Sequence, residues 1–237
     1  MKDPGELIKI LQKNQSLFIR PVPFDPGKDI LLQLDFTKDN TDLQEDIFTD
    51  TKNFLDYVNR RLSDKHARYG IGGYNEHRTV YGASKVFDGK TAGEEPRRLH
   101  LGFDIWGKPG TRVIAPFDAL VHSFAFNNRA GDYGATIILT HLLEGISFYT
   151  LYGHLSLSSI KNLELGYRVF KGDVFAEFGI PAENGQWPPH LHFQIIRDME
   201  GWTGDYPGVC KYSEREGYLM NCPDPELMLQ MMKYAVL

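Results

Sequence analysis

Short apolar runs separated by glycine-rich turns dominate the middle of the chain. Six runs carry the apolar, aromatic and β-branched residues typical of strands, at residues 111–116, 119–126, 135–142, 146–152, 174–178 and 192–197. Glu144-Gly145 separates two of these runs and predicts a tight hairpin turn. A succession of short strands with turn signals between them predicts a sandwich-like or barrel-like β core.

The two ends of the chain mix helical and extended patterns. Apolar residues fall on one helical stripe within residues 5–20 and again over 51–63, where Thr49 or Asp50 is suited to cap the helix. Residues 30–36 (ILLQLDF) predict a strand, whereas residues 68–82 (RYGIGGYNEHRTVYG) have no helical period and predict an ordered loop. Asp224 and Pro225 predict the start of a final helix.

These patterns predict a mainly β protein in three parts. Residues 96–200 form an antiparallel β-sheet core, and residues 1–95 form an α+β extension whose role the pattern does not indicate. Residues 201–237 form a tail that ends in a helix and packs on the core.

Composition narrows the class of protein. The chain has 237 residues, of which 42% are hydrophobic, enough for a sizeable core. The net charge of −5 and the short basic runs argue against nucleic-acid binding. No apolar stretch approaches the ~20 residues that span a bilayer, and the first residues lack the features of a secretory signal. We therefore expect a cytoplasmic protein in which Cys210 and Cys222 are reduced. The alternative is an exported protein whose leader has been removed, in which the two cysteines could form a disulfide.

The candidate chemistry lies in three short segments that are rich in histidine. The segment His190-Leu-His192 leads into FQII and so begins a strand. Because alternate strand residues point to the same face, both imidazoles face one side of the sheet. Two imidazoles on one face are a platform for a metal ion.

The second segment, His100-Leu-Gly-Phe-Asp104, needs a bend to act with the first. Residues four apart in a flat strand lie about 13 Å from each other, whereas zinc binds nitrogen and oxygen at about 2.0–2.2 Å. Gly102 supplies the backbone freedom for a bend between the two side chains. A helix would also bring them together, but the following IWGKPGT leaves it very short.

Together these segments offer a His/Asp/His set of three protein ligands, which leaves a fourth position for water as catalytic zinc sites require. His154, in the third segment Tyr152-Gly-His154, follows a strand and can reach the same cleft. We expect His141 and His122 to be surface or sheet-edge residues without a role in the site.

Residues 97–197 resemble lysostaphin/LytM-type zinc metallopeptidases. The resemblance is carried, in the family's order, by HLGFDIWGKPGTRVIAP, GDYGATIILTH, FYTLYGHLS, GYRVFKGDVFAEFG and PPHLHFQI. It implies Zn²⁺ held by His100, Asp104 and His192, with His154 and His190 as the further active-site histidines. It also implies a β-sheet groove and zinc-activated hydrolysis of a peptide bond, usually in peptidoglycan.

The chain departs from the family's pattern where the substrate would bind. The loop IPAENGQWPPHLHFQI is longer and bulkier than the family's, and Trp187 in it either lines the groove or belongs to the core. In some members a preceding segment blocks the zinc with an asparagine, a role open to Asn75. Glu76 and Arg78 of the same segment are alternatively substrate contacts, or the segment is an ordinary packing loop. The nearest tyrosine before His100, Tyr81, lies farther away than in the family.

The sequence and the resemblance together predict a zinc-dependent hydrolase that cleaves an amide bond in a small peptide or a peptidoglycan-derived fragment. Two alternatives remain open: a regulatory, metal-bearing scaffold that binds a partner in its groove, and an amide hydrolase that acts on a non-peptide metabolite. The patterns do not decide the oligomeric state.

Overall fold

The computed structural model describes residues 4–43, 45–48, 50–83, 85–89, 91 and 93–237. Its helices are α1 (Pro4–Lys13), α2 (Thr51–Asp64), α3 (Arg215–Asn221) and α4 (Glu226–Leu229). Its strands are β1 (Leu31–Gln33), β2 (Tyr69–Gly72), β3 (Glu76–His77), β4 (Leu99–His100), β5 (Phe103–Trp106), β6 (Arg112–Ile114), β7 (Ala119–Asn127), β8 (Gly134–Leu143), β9 (Ile146–Leu155), β10 (Arg168–Val169), β11 (Val174–Glu177), β12 (His190–Ile196), β13 (Val209–Cys210) and β14 (Ala235–Val236).

Within these described ranges, nine strands form one sheet in the order β10-β7-β8-β9-β12-β5-β2-β1-β14. The ladders are antiparallel except those that join β1 to β2 and to β14. The mainly β fold class is therefore confirmed. All three predicted parts of the chain contribute strands to this sheet, and the boundaries between them stay a prediction.

The hairpin between β8 and β9 forms where the sequence predicts it. Glu144 and Gly145 both have positive φ, at 49° and 80°, as a two-residue type I′ turn requires. Leu143 and Ile146 pair on either side of the turn. This turn fixes the register of the two longest strands, and β9 in turn pairs with β12.

The sheet buries different side chains on its two faces. Leu191, Phe193 and Ile195 of β12 belong to the main apolar core, which also takes Phe103 and Ile105 of β5. The intervening residues of both strands therefore face the other side of the sheet, because successive side chains alternate. That second face carries the polar side chains of the candidate site and a separate aromatic cluster.

The loop predicted over residues 68–82 is wrong in its first part, because Tyr69–Gly72 forms β2 beside β5. Tyr69 and Ile71 enter the main core, but glycines occupy the alternate positions and hide the strand period. A Cβ on Gly70 would lie 2.4 Å from a methyl carbon of Leu34. The glycine therefore allows residues 31–34 to pack closely on β2.

The predicted helices form, with shifted ends. α2 is capped by Asp50, whose carboxylate accepts a hydrogen bond from the backbone N–H of Asn53; the alternative cap, Thr49, lies outside the described residues. In the tail, Asp224 accepts a bond from the Glu226 N–H and α4 follows. The preceding helix α3 was not predicted. No helix in the described part of the chain is both long and apolar enough to cross a bilayer.

Candidate metal centre

The backbone brings the first two histidine segments together. β12 pairs antiparallel with β5, so that His192 lies opposite Asp104. The predicted bend is present, because β4 ends at His100 and β5 begins at Phe103. A Cβ on Gly102 would lie 2.3 Å from the His192 ring, so the glycine serves close approach of that imidazole.

The three predicted metal ligands converge. His100 Nε2 lies 2.9 Å from His192 Nδ1, and Asp104 Oδ1 lies 3.3 and 3.2 Å from these two nitrogens. Metal bonds of about 2.0–2.1 Å in tetrahedral geometry place neighbouring ligand atoms about 3.3–3.4 Å apart. Each of the three side chains is at most 3% exposed. The spacing therefore fits a small dication, and these residues could hold one.

Hydrogen bonds behind the cluster fix which nitrogens face inward. His100 Nδ1 donates to the Gly73 carbonyl at 2.8 Å, and His192 Nε2 donates to Gln194 Oε1 at 2.9 Å. Each imidazole therefore keeps its lone pair on the nitrogen that faces the other ligands. Partners of this kind orient metal-binding histidines. Gln194 was not singled out from the sequence, although it lies two residues after His192 on the same strand face.

His154 and His190 lie beside the cluster with their ring centroids 4.1 Å apart. Their Nδ1 atoms donate to the backbone carbonyls of Asn184 and Pro188, at 2.8 and 2.7 Å. Nε2 of each neutral ring is therefore the nitrogen without a proton. His190 Nε2 lies 4.0 Å from Asp104 Oδ1.

Burial determines the protonation of the site. It lowers the pKa of His100 to about 3 and that of His190 to about 4, and it lowers the pKa of His154 well below its ordinary value. Burial alone would raise the pKa of Asp104, but His100 and Arg78 hold it well below its usual range. Neutral imidazoles beside an ionised carboxylate are the protonation states that a metal requires.

The structure places the residues of the segment 75–78 in different surroundings. Asn75 is not among the residues that line the site; its side-chain oxygen instead accepts a bond from Arg215 Nε at 2.8 Å. Arg78 does line the site, but its side chain is only 3% exposed and its Nη1 donates to Asp104 Oδ2 at 2.5 Å and to the Tyr81 hydroxyl at 3.2 Å. Arg78 is thus engaged by a candidate ligand.

A cavity of about 720 Å³ opens on the cluster. One side, which we name the aromatic wall, consists of Phe36, Phe54, Tyr81, Phe87, Trp106 and Trp187. Trp187 lies 6.4 Å from the His154 ring, centroid to centroid, and it both lines the cavity and packs against the aromatic cluster of the core. Four members of the wall belong to the first 95 residues, and the scattered phenylalanines gave no sequence signal of this role.

The other side of the cavity is polar. Asp132, Asp205 and Arg129 line it, with Tyr133 near the cluster. The Tyr133 hydroxyl lies 3.3 Å from His192 Nε2.

His141, expected at the surface or a sheet edge, is instead only 2% exposed on β8, where it bonds to the Asp118 carbonyl and to Thr150 Oγ1. It is remote from the cavity lining and contributes to the core.

Residues 98–203 match the model described as Peptidase family M23. A Haemophilus influenzae protein described as an uncharacterized metalloprotease is 33% identical over 139 residues, which cover 56% of this chain and 27% of that protein. The chain thus spans about a quarter of that relative's length.

Solved structures are also similar. The catalytic domain of the antimicrobial peptidase lysostaphin from Staphylococcus simulans is 20% identical, with 69% of this chain and 96% of that one covered and a TM-score of 0.38. A zinc-containing peptidase from Vibrio cholerae is 25% identical, with 41% and 27% covered and a TM-score of 0.32.

Proposed function

We propose that the protein is a zinc-dependent hydrolase of an amide bond in a small peptide or a peptidoglycan-derived fragment, and the match of residues 98–203 to peptidase family M23 supports this proposal. One observation carries the proposal. His100, Asp104 and His192 turn three ligand atoms toward one point, beside two further histidines whose unprotonated nitrogens are free of backbone bonds.

The donor set favours zinc. Two imidazole nitrogens and one carboxylate oxygen, with a further position open, are typical of catalytic zinc. When bound, the metal would supply a Lewis acid that polarises the scissile carbonyl and lowers the pKa of a water molecule. His100 and His192 would hold it through Nε2 and Nδ1, and Asp104 through Oδ1.

His154 and His190 would move the protons. Each is neutral at pH 7 because burial lowers its pKa, so either one can accept at Nε2 the proton that the attacking water loses. Neither can donate from Nε2 until it has accepted that proton, because Nδ1–H of each is committed to a carbonyl. The protonated imidazole then donates to the leaving amine or the developing oxyanion. Trp106, stacked on His190 at 3.8 Å, fixes that ring.

The enclosure of the site favours a short substrate. The five site residues are each at most 6% exposed, and the cavity volume lies within the range of small-molecule pockets. A peptide of a few residues can enter such a space, whereas an interior bond of an intact polymer would have to bring its flanking chains with it. The cytoplasmic location stays a prediction from the sequence.

Metal analysis and a substrate panel test the proposal. We expect the zinc-replete protein to bind about one zinc ion and to release new amino termini, followed by mass spectrometry, from short peptides or muropeptides. Asp104→Asn should lose both metal and activity, whereas His154→Ala should keep the metal and lose activity. His77→Ala, at an exposed position outside the cavity lining, is the matched control.

The alternatives give different results in the same experiment. A protein that binds no zinc would sink the proposal. Retained partner binding with no hydrolysis across the panel would support the regulatory scaffold. Cleavage of small non-peptide amides alone would support the metabolite hydrolase.

A further inference from the structure

A buried arginine is bonded to one of the candidate ligands. Arg78 donates from Nη1 to Asp104 Oδ2 at 2.5 Å and from Nε to Glu76 Oε2 at 2.6 Å. Glu76 is itself held, because its Oε1 accepts the backbone N–H of Phe36 at 3.2 Å. The three side chains form a continuous line that ends at the metal cluster.

This line divides the two oxygens of Asp104 between different partners. Oδ1 faces the inward nitrogens of His100 and His192, while Oδ2 is taken by the guanidinium. A charge-assisted bond from arginine is among the stronger hydrogen bonds in proteins. It leaves the carboxylate a single oxygen for a metal ion.

The backbone is shaped to hold this arginine. Gly73 has φ of +101°, and a Cβ there would lie 1.7 Å from Arg78 Nη2 and 3.1 Å from His100 Nδ1. The Gly73 carbonyl also accepts the Nδ1–H of His100. One glycine therefore makes room for Arg78 and orients a second ligand.

The charges of Glu76 and Arg78 cancel. A lone guanidinium beside a dication would oppose metal binding, but Arg78 is bonded to the carboxylate of Glu76, whose side chain is only 12% exposed. Glu76 therefore offsets the charge of Arg78, and its backbone pairs with that of His100 in the β3–β4 ladder. The Arg78–Glu76 pair therefore adds no net charge to the site, and its effect is to hold Asp104 in one orientation.

We propose that Arg78 is a positioning residue that keeps Asp104 a one-oxygen ligand and so preserves an open coordination position for water and the substrate carbonyl. This inference rests on the proposed zinc site. Without Arg78, Asp104 is free to turn both oxygens to the metal and occupy that position.

Cobalt substitution tests the inference, because Co²⁺ replaces zinc in such sites and its visible absorption depends on coordination number. The double variant Arg78→Met/Glu76→Gln removes both buried charges together, which avoids leaving either one unpaired, and methionine cannot donate to Asp104. We expect weaker, shifted cobalt bands, indicating a higher coordination number, and a zinc affinity lower by roughly 10–100-fold, measured by chelator competition.

Glu76→Gln is the matched variant, because it leaves Arg78 in place to donate to Asp104. It removes the charge of Glu76 and one of the two hydrogen bonds that the Glu76 carboxylate accepts. It should retain the wild-type cobalt spectrum and bind zinc several-fold more weakly. Circular dichroism checks folding; if the double variant is unfolded, Arg78→Lys, which cannot span Glu76 and Asp104 together, should show the spectral change instead.

A wild-type cobalt spectrum and zinc affinity in a folded double variant, or in Arg78→Lys where that variant is used, would overturn the role of Arg78. That result leaves the zinc site intact. Failure of the wild-type protein to bind either metal would instead overturn the zinc site itself.

Discussion

Some positions at this site require glycine because a neighbouring side chain occupies the space that a Cβ would need. Gly102 was singled out in the sequence as a source of backbone freedom, yet its φ is not in the left-handed region. What it provides is space, since the His192 ring lies where a Cβ would be. The sequence therefore indicated the right residue for an incomplete reason.

Gly102→Ala should accordingly disable metal binding. The added methyl carbon would lie 2.3–2.4 Å from His192 Cε1 and Nε2, so the imidazole must move away from Asp104. We expect zinc affinity to fall by roughly 10–100-fold, as for other losses of ligand orientation. Gly82→Ala, which meets nothing within 4 Å, should bind zinc like the wild type; a G102A protein that did the same would contradict the packing argument.

His141 gives a second residue-scale prediction, on stability against pH. Burial lowers its pKa to about 4, whereas an unfolded histidine has a pKa of about 6.5. The unfolded chain therefore binds more protons between these two values, and the free energy of unfolding falls as pH drops from about 6.5 to 4. The loss from this residue amounts to about 3 kcal/mol at most.

Urea titrations at several pH values, on metal-free protein, measure this loss. His141→Gln keeps a polar side chain at the position but does not titrate, so its free energy of unfolding should fall less steeply than that of the wild type over the same window. Equal slopes for the two proteins would show that His141 is not buried in its neutral form.

At the scale of elements, the strands that alternate visibly were predictable and those that do not were missed. β12 carries His190, His192 and Gln194 on one face and apolar residues on the other, so period-two reasoning placed both histidines together. β2 has the same alternation with glycine in place of polar residues. A glycine is neither clearly apolar nor polar, so it does not show the alternation. The need for glycine at position 70 comes from contact with Leu34, which no local pattern identifies.

The convergence of His100, Asp104 and His192 was predictable because their motifs are local, whereas the aromatic wall has no local motif. His100, Asp104 and His192 lie in two short motifs whose spacing has chemical meaning by itself. Phe36, Phe54 and Phe87 come from separate elements of the first 95 residues and meet only through tertiary packing on β5 and α2. Arg78 falls between these cases. The sequence singled out both Arg78 and Asp104, but it did not predict the bond between them.

At the scale of the whole molecule, the first 95 residues are part of the sheet and of the site. β2 pairs with β5, the strand that carries Asp104, and β1 joins β2 to the C-terminal strand β14. The same residues supply Arg78, the Gly73 carbonyl and most of the aromatic wall. The M23 match over 98–203 thus covers the ligands but leaves out part of the structure that orients them.

A chain that begins at residue 96 should therefore fail to form the site. Removal of β2 exposes the edge of β5 and leaves Asp104 without its guanidinium partner, so we expect aggregation or loss of zinc binding, measured by size-exclusion chromatography and chelator competition. As a control, a protease site inserted beside the exposed Gly93 allows the folded protein to be cut without removing either part. The cut protein should keep its zinc, because β-ladder bonds and the aromatic cluster hold the parts together. Zinc binding at wild-type affinity by the truncated chain would show that residues 1–95 are a separable extension after all.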